Sequence, residues 1–278
     1  MSPAGPVALP RTSPRRARVH AGGSAQVLVS GRLQPADPQM GTGNVSLLVG
    51  AQRPDAEQQV LAARRGLLAD AGLSPEQAVF AEQVHGAGVA RVSGADGGRG
   101  ALRHRDAVAG ADALVTTESG VGLVVLAADC VPLALVAPGG GIAAVHAGRC
   151  GLDAGIVPAA VQALADASGR DPAHLAAVVG PAIGGCCYEV PAEMAADVSA
   201  TVPAAAAVTS WGTPALDLRA GVESQLRTAG VAAVERVGGC TRCGPGWFSH
   251  RASQDGGRPE GRHALVVTQP VATPGGGR

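Results

Sequence analysis

Residues 126–151, LAADCVPLALVAPGGGIAAVHAGRCG, contain two apolar runs that finish on metal-binding or nucleophilic groups, Cys130 and His146. If VPLALV and GIAAVH form a hairpin around residues 137–141, pairing Val136 with Ile142 sets His146 opposite Pro132. Cys130 is then one diagonal step away, roughly 7–8 Å between backbones, a gap that two inward side chains can close onto one ion. His85 in EQVHG ends another short strand-like run and is the candidate third ligand. Two imidazoles and a thiolate with a vacant fourth position would make an open, catalytic zinc site, whereas structural zinc is closed by four protein ligands. Separations of 45 and 16 residues match no local zinc pattern, so a core-filling cysteine and a satisfied histidine stay open as the plain alternative.

Such a site needs strands and turns to aim its ligands. ADALVTTE, GVGLVVLAADC, VPLALVAP and GIAAVHAG are four strand-like runs separated by turn residues, and AQVLVSGRL, AVFAEQVHG, GVARVSG and HALVVTQ add shorter ones. PDAEQQVLAARRGLLADAG reads as a helix with Pro54 at its start, Gly72 at its stop, and Val60, Leu61, Leu67, Leu68 and Ala71 on one stripe. A second helix is expected over DAGIVPAAVQALADASG with Asp153 as N-cap, and a third over DLRAGVESQLRTAG between Asp217 and Gly230. GGRGALRHRD, residues 97–106, reads as a polar, mobile loop. Strands at the centre with helices around them indicate mixed α and β layers.

Composition narrows the function. All 22 basic residues are Arg, they balance 22 acidic residues, and this neutrality supplies no field for nucleic acid or an anionic membrane. With 46% hydrophobic residues but only two Phe, one Tyr and two Trp, the core must be packed from Ala, Val and Leu. The Arg-bearing N-terminus lacks the apolar stretch of an export signal, and no run of 18 apolar residues occurs, so a cytoplasmic protein acting on small molecules is expected. Six cysteines are too sparse for a disulfide scaffold. Cys186 and Cys187 are adjacent and too strained for an ordinary bridge, so one is expected to face the core with Tyr188 packed nearby; the Cys240–Cys243 CxxC lacks the flanking elements of a thioredoxin motif. The expected organisation is an N-terminal tail over 1–24, a single catalytic domain over 25–270 and a tail over 271–278.

EQVHG, AADCVPLALV, AAVHAG, VVGPAIGGCCYEV and CTRCGPGWFSHR resemble, in this order, the laccase-domain (YfiH-like) family of purine nucleoside phosphorylases, also known as polyphenol oxidases or peptidoglycan editing factors. The resemblance implies an α+β layered sandwich of mixed β-sheets flanked by helices. It implies that His85, Cys130 and His146 bind Zn2+. It also implies phosphorolysis of purine nucleosides (inosine, guanosine, adenosine, methylthioadenosine) with phosphate as co-substrate, and deamination of adenosine. Asn44 and Ser46 match the family's Asn-Leu-Ser motif and are candidates for binding ribose or base, with a loop cap as the alternative. Arg64 lies where the family carries an arginine and suits bidentate phosphate, Arg32 is a similar candidate, and Gln83, His250 and Arg251 are placed along the same cleft. Asp129, beside the cysteine, is the candidate general base or orienter. Gly148, Gly151 and Gly155 lead into a helix whose N–H groups are a candidate anion holder.

Two departures stand out. The family's HAGWRG is HAGRCG here, so Arg149 stands one position early, pointing elsewhere, and Cys150 replaces the motif arginine. Ala51 and Gln52 stand where the family commonly has Asp-Asp. The competing readings are a cysteine hydrolase editing a cell-wall precursor, with Cys130 as nucleophile and His146 as base, a copper-dependent polyphenol oxidase, and a non-catalytic metal-binding protein. Seven histidines are few for multicopper clusters. A monomer or homodimer is expected.

Overall fold

The computed structural model describes residues 16–21, 25–32, 43–49 and 56–269. Most of the expected N-terminal tail, Pro54, Ala51, Gln52 and the C-terminal tail lie outside the described residues. In chain order the elements are β1 (Arg16–Ala21), β2 (Ala25–Ser30), α1 (Ala56–Asp70), β3 (Ala78–Phe80), β4 (Val89–Arg91), β5 (Ala113–Thr116), β6 (Gly122–Ala127), β7 (Val131–Val136) and β8 (Ile142–Ala147). They continue with α2 (Arg149–Asp153), α3 (Ile156–Ser168), β9 (Ala176–Val179), α4 (Ala192–Thr201), β10 (Ala206–Val208), β11 (Pro214–Leu216), α5 (Leu218–Thr228), β12 (Ala233–Arg236), α6 (His250–Gln254) and β13 (His263–Thr268).

The strands form a five-stranded sheet, β1-β2-β13-β6-β3, a six-stranded sheet, β12-β9-β7-β8-β5-β4, and the small hairpin β10-β11. Side-chain alternation explains how they stack. Leu123 and Val125 of β6 join Leu114, Ile142 and Ala144 of the other sheet in one apolar cluster. Val124 of β6 faces the opposite way with Leu28, Phe80 and Val266 onto Leu67 and Leu68 of α1. Val145 and Leu133 of the six-stranded sheet meet Leu152, Val161 and Val222 from α2, α3 and α5. The result is four layers, helix–sheet–sheet–helices, the mixed layered sandwich that the sequence implies. Because both faces of the central strands are covered, these strands read as near-continuous apolar runs.

The hairpin register matches expectation: Val136 pairs with Ile142 and Pro132 with His146. α5 is capped as expected, Asp217 accepting from the Ala220 N–H, and Gly230 lies beyond its end at φ 94°. Other expectations need correction. Residues 16–21, read as tail, form β1 along β2 from Arg16↔Ser30 to Ala21↔Ala25; β2 would otherwise expose a row of unpaired backbone groups, and pairing satisfies them. Asp153 does not cap a helix. The chain makes α2 first, then turns at Gly155, whose φ of 83° is left-handed, and Gly155 is the N-cap of α3. The Asp153 carboxylate instead accepts from the Thr201 hydroxyl. The 97–106 loop is anchored, because its Gly100 and Ala101 carbonyls accept from buried Arg64. Leu61 is only half-buried, and Arg64 takes part of the α1 stripe instead. Among the described residues no helix is long and apolar enough to cross a membrane.

His263 at the start of β13 is fully buried beside Trp247, and neither ring nitrogen has a well-formed hydrogen bond. Burial pushes it down to about 3, opposed by a contact with the Pro181 backbone and assisted by the Arg262 charge. The folded form therefore stays neutral while the unfolded chain takes up a proton below its ordinary value of about 6.5. Stability is full above that value and is lost as pH falls toward 3. Between pH 7.5 and 5 the loss from this one group is about 2 kcal/mol. Urea unfolding of the native chain against His263→Leu, at both pH values, measures it: the variant should lose about 2 kcal/mol less, and equal losses would refute the assignment.

Candidate metal centre and cavity

The site lies at the rim between the two sheets. His146 shares a strand face with Ile142 and Ala144, the face turned toward the five-stranded sheet. Cys130 sits immediately before β7. His85 is carried by the segment 81–88, which leaves β3 in one sheet and enters β4 in the other. The ligand atoms of His85, Cys130 and His146 all lie within 4.8 Å of one another. The two imidazoles meet edge-on, with ring centroids 4.9 Å apart and planes at 83°.

Asp112, which the sequence reading did not single out, holds this arrangement together. It is fully buried at the head of β5. One carboxylate oxygen meets His146 Nδ1 at 2.8 Å, and the two oxygens accept the backbone N–H groups of Val84, His85 and Gly86 at 3.2, 3.0 and 2.7 Å. One side chain thus orients one imidazole and shapes the loop that carries the other, the arrangement that commonly directs the second ring nitrogen of a metal-bound histidine. The signal was present but faint: a single acid at the start of an apolar strand, with no charged neighbour in sequence.

Backbone conformation points to the same place. Among the described residues, Gln83, His85 and Asp129 are the non-glycine residues with positive φ, at 65°, 63° and 87°. Conformations of this kind cost on the order of 1–3 kcal/mol each and persist where the surroundings hold them. The holders are visible. Gln83 clamps Leu126 through both ends of its amide, at 2.7 and 2.8 Å, and Asp129 accepts from the Thr241 hydroxyl at 2.5 Å and the Arg251 N–H at 2.7 Å.

A metal fits this donor set. Burial alone would raise the Cys130 thiol, but the charge and hydrogen bonding of His146, then His85, bring it down to about 6. Burial lowers His146, and Cys130 and Asp112 override it and raise the imidazole. The pair is therefore polarised toward thiolate and imidazolium, and a cation between the rings would take over the proton's role. Gly148 leaves the space: a Cβ there would stand 3.0 Å from both Cys130 Sγ and His85 Cδ2.

These ligands open onto a cavity of about 480 Å³, a volume typical of small-molecule sites. Leu48, Phe80 and Ile183 supply apolar wall, and Arg149, Arg251 and Arg262 bring positive charge. Arg149 therefore faces the site, correcting the expectation that it points elsewhere, and Cys150 lines the cavity beside it. Tyr188 also lines it; burial and then the Cys130 charge raise its phenol.

The remaining sequence candidates divide. Ser46, Gln83, His250 and Arg251 line the cavity, with Ser46 Oγ accepting from the Leu48 N–H at 3.3 Å. Arg64 lines it too, but its Nε donates to the Val45 carbonyl and its Nη1 to those of Gly100 and Ala101, while the guanidinium lies 4.4 Å from the centre of the Phe80 ring. Burial lowers it to about 10. It fastens α1 to two loops while still lining the cavity. Arg32 lies away from the cavity lining and donates twice to the Pro245 carbonyl. Asn44 takes the loop-cap alternative, donating to the Val49 carbonyl at 2.8 Å and accepting from the Ser46 and Arg262 N–H groups. Asp129 has both oxygens engaged by protein donors and shapes the wall beside Cys130. Of the glycines after His146, Gly151 serves close packing, since a Cβ there would meet the Gly86 carbonyl at 2.7 Å.

Residues 38–269 match the family described as multi-copper polyphenol oxidoreductase laccase. The chain belongs to this family. Its relatives include a purine nucleoside phosphorylase of Streptomyces coelicolor, 50% identical over 191 residues, 68% of this chain and 76% of that one. A purine nucleoside phosphorylase of Mycobacterium tuberculosis is 39% identical over 231 residues, 83% of this chain and 86% of that one. The crystal structure of YlmD from Geobacillus stearothermophilus superposes with a TM-score of 0.80 at 32% identity, covering 90% of this chain and 93% of that one. That family is described by several coppers, whereas the ligand cluster found at the cavity among the described residues, His85, Cys130 and His146, is a set for a single ion.

Proposed function

We propose that the protein is a zinc-dependent purine nucleoside phosphorylase acting on inosine, guanosine, adenosine and methylthioadenosine, with deamination of adenosine at the same site. The observation that carries this reading is the convergence of His85, Cys130 and His146 on one point of a nucleoside-sized cavity. The relatives named purine nucleoside phosphorylase support the reaction class. Zinc held by these three groups would supply Lewis-acid stabilisation of charge developing on the substrate and would raise the acidity of water for deamination.

The rest is work for the chain's own residues. In phosphorolysis a phosphate oxygen bonds to the anomeric carbon, the bond from that carbon to the purine nitrogen breaks, and the base leaves with a proton. Arg149, Arg251 and Arg262 are the groups to hold the phosphate, and guanidinium forks suit that role. Leu48, Phe80 and Ile183 cover the apolar faces of the nucleoside and exclude water. Asp112 fixes the His146 ring, and Gln83 and Asp129 are positioning residues for the strained segments beside the ligands.

The hydrolase reading has one feature in its favour, the run Asp112–His146–Cys130, which resembles a cysteine nucleophile, its base and an orienter. A second imidazole, His85, turned onto the same thiol serves a cation and is superfluous to a nucleophile–base pair. The deciding experiment is phosphate-dependent release of hypoxanthine from inosine before and after chelation, with zinc added back. Activity should vanish with the metal and return with zinc; full activity after metal removal would refute the reading, and covalent capture of Cys130 by an electrophilic acyl substrate would favour the hydrolase.

A further inference from the structure

Behind the cavity wall lies a second convergence of thiols. The sulfurs of Cys186, Cys187, Cys240 and Cys243 are all within 4.8 Å of one another, and none is in a disulfide. In sequence these cysteines are an adjacent pair and a CxxC, with 54 positions from Cys186 to Cys240. Folding makes them one cluster. The turn after β9 supplies the first two and the turn after β12 the others, and the two turns are joined by the Ala182↔Cys240 bridge and by the Thr241 N–H donating to the Ala182 carbonyl at 3.0 Å.

The local geometry is that of a ligand set. A zinc ion with bonds of about 2.3 Å to four sulfurs places them roughly 3.8 Å apart at the corners of a tetrahedron. Cys186 Sγ and Cys187 Sγ are 3.6 Å apart, far beyond a disulfide bond and close to that edge. The Gly184 N–H points at Cys240 Sγ at 3.3 Å, a contact that stabilises sulfur carrying negative charge. The Arg242 guanidinium, between the two CxxC cysteines, lies beside Cys187 and offsets part of the charge four thiolates would bring. We infer that Cys186, Cys187, Cys240 and Cys243 form a closed, four-thiolate site for one zinc ion, separate from the open three-ligand centre in the cavity.

The location gives such an ion a purpose. Thr241 lies inside the CxxC turn and donates to Asp129, the residue before Cys130. Ile183 and Tyr188 flank the other pair and line the cavity. A closed site here ties two wall-forming turns together, the structural use of zinc, and leaves the cavity ligands free for substrate.

The test uses the full chain, purified under reducing conditions, as the native protein and as the double variant His85→Ala/Cys130→Ala, which leaves only one cavity ligand. Zinc content and zinc-edge X-ray absorption are measured on both. Two zinc ions per native chain are expected, and one in the double variant with an all-sulfur shell. Adding Cys240→Ser should abolish or weaken that remaining ion; because this variant can fail to fold, the shell composition of the double variant decides by itself. No zinc in the double variant, nitrogen in its shell, iron in place of zinc, or a disulfide detected by mass would each overturn the inference. A native chain with one zinc in an all-sulfur shell would uphold it while removing zinc from the cavity reading.

Discussion

Cys130→Ala should lower phosphorolysis of inosine at least about a thousandfold, because the several kcal/mol that a Lewis acid contributes at the reacting centre correspond to that factor. The substitution removes the one thiol of the cavity set and leaves His85 and His146 as two imidazoles, a much poorer claim on a divalent cation. The fold should survive it, since Cys130 is only partly buried and precedes β7 without pairing in it. Thermal unfolding close to that of the native chain, together with a lost rate and lost metal, would localise the effect to chemistry. A variant that keeps native turnover would end the metal-based account, because Cys130 is the thiol that clusters with both rings.

The second large effect belongs to Asp112→Ala. This change withdraws the acceptor from three backbone N–H groups and from His146 Nδ1, all in a fully buried position. Removing one partner from such a buried arrangement costs about 3–5 kcal/mol. The metal should suffer separately, since loss of the group that orients a liganding histidine weakens binding about 10- to 100-fold, and here the His85 loop is released as well. Asp112→Asn should fall between: its remaining oxygen still accepts, while its amide N–H faces donors. Urea midpoints and zinc competition against a chelator measure the two effects, and a native midpoint in Asp112→Ala would show that the loop is held by something else.

Much of this was legible in the sequence, and the reasons differ by element. The register that sets His146 opposite Pro132 follows from a five-residue turn and period-two alternation, local rules that the hairpin obeys. The cap at Asp217 follows from equally local chemistry. Where the sequence misled, the deciding interaction was distant or conformational. Asp153 looks like a cap until Gly155 adopts its left-handed turn. A solvated helix face is the plain sequence reading of Arg64, and the distant carbonyls of Val45, Gly100 and Ala101 bury it instead. Arg149 looked misdirected because a motif shifted by one position gives no hint of where the cavity wall will run. Asp112 and the four clustered thiols depend on segments tens of residues apart, and no single-segment pattern reports such a meeting.

The crossover of residues 81–88 from one sheet to the other has a consequence for how the molecule comes to life. His85 hangs on that span while Cys130 and His146 belong to the six-stranded layer, so the three donors meet only once the span is seated against that layer by Asp112. With a cation held there as proposed, its uptake would serve as a certificate that this span has docked.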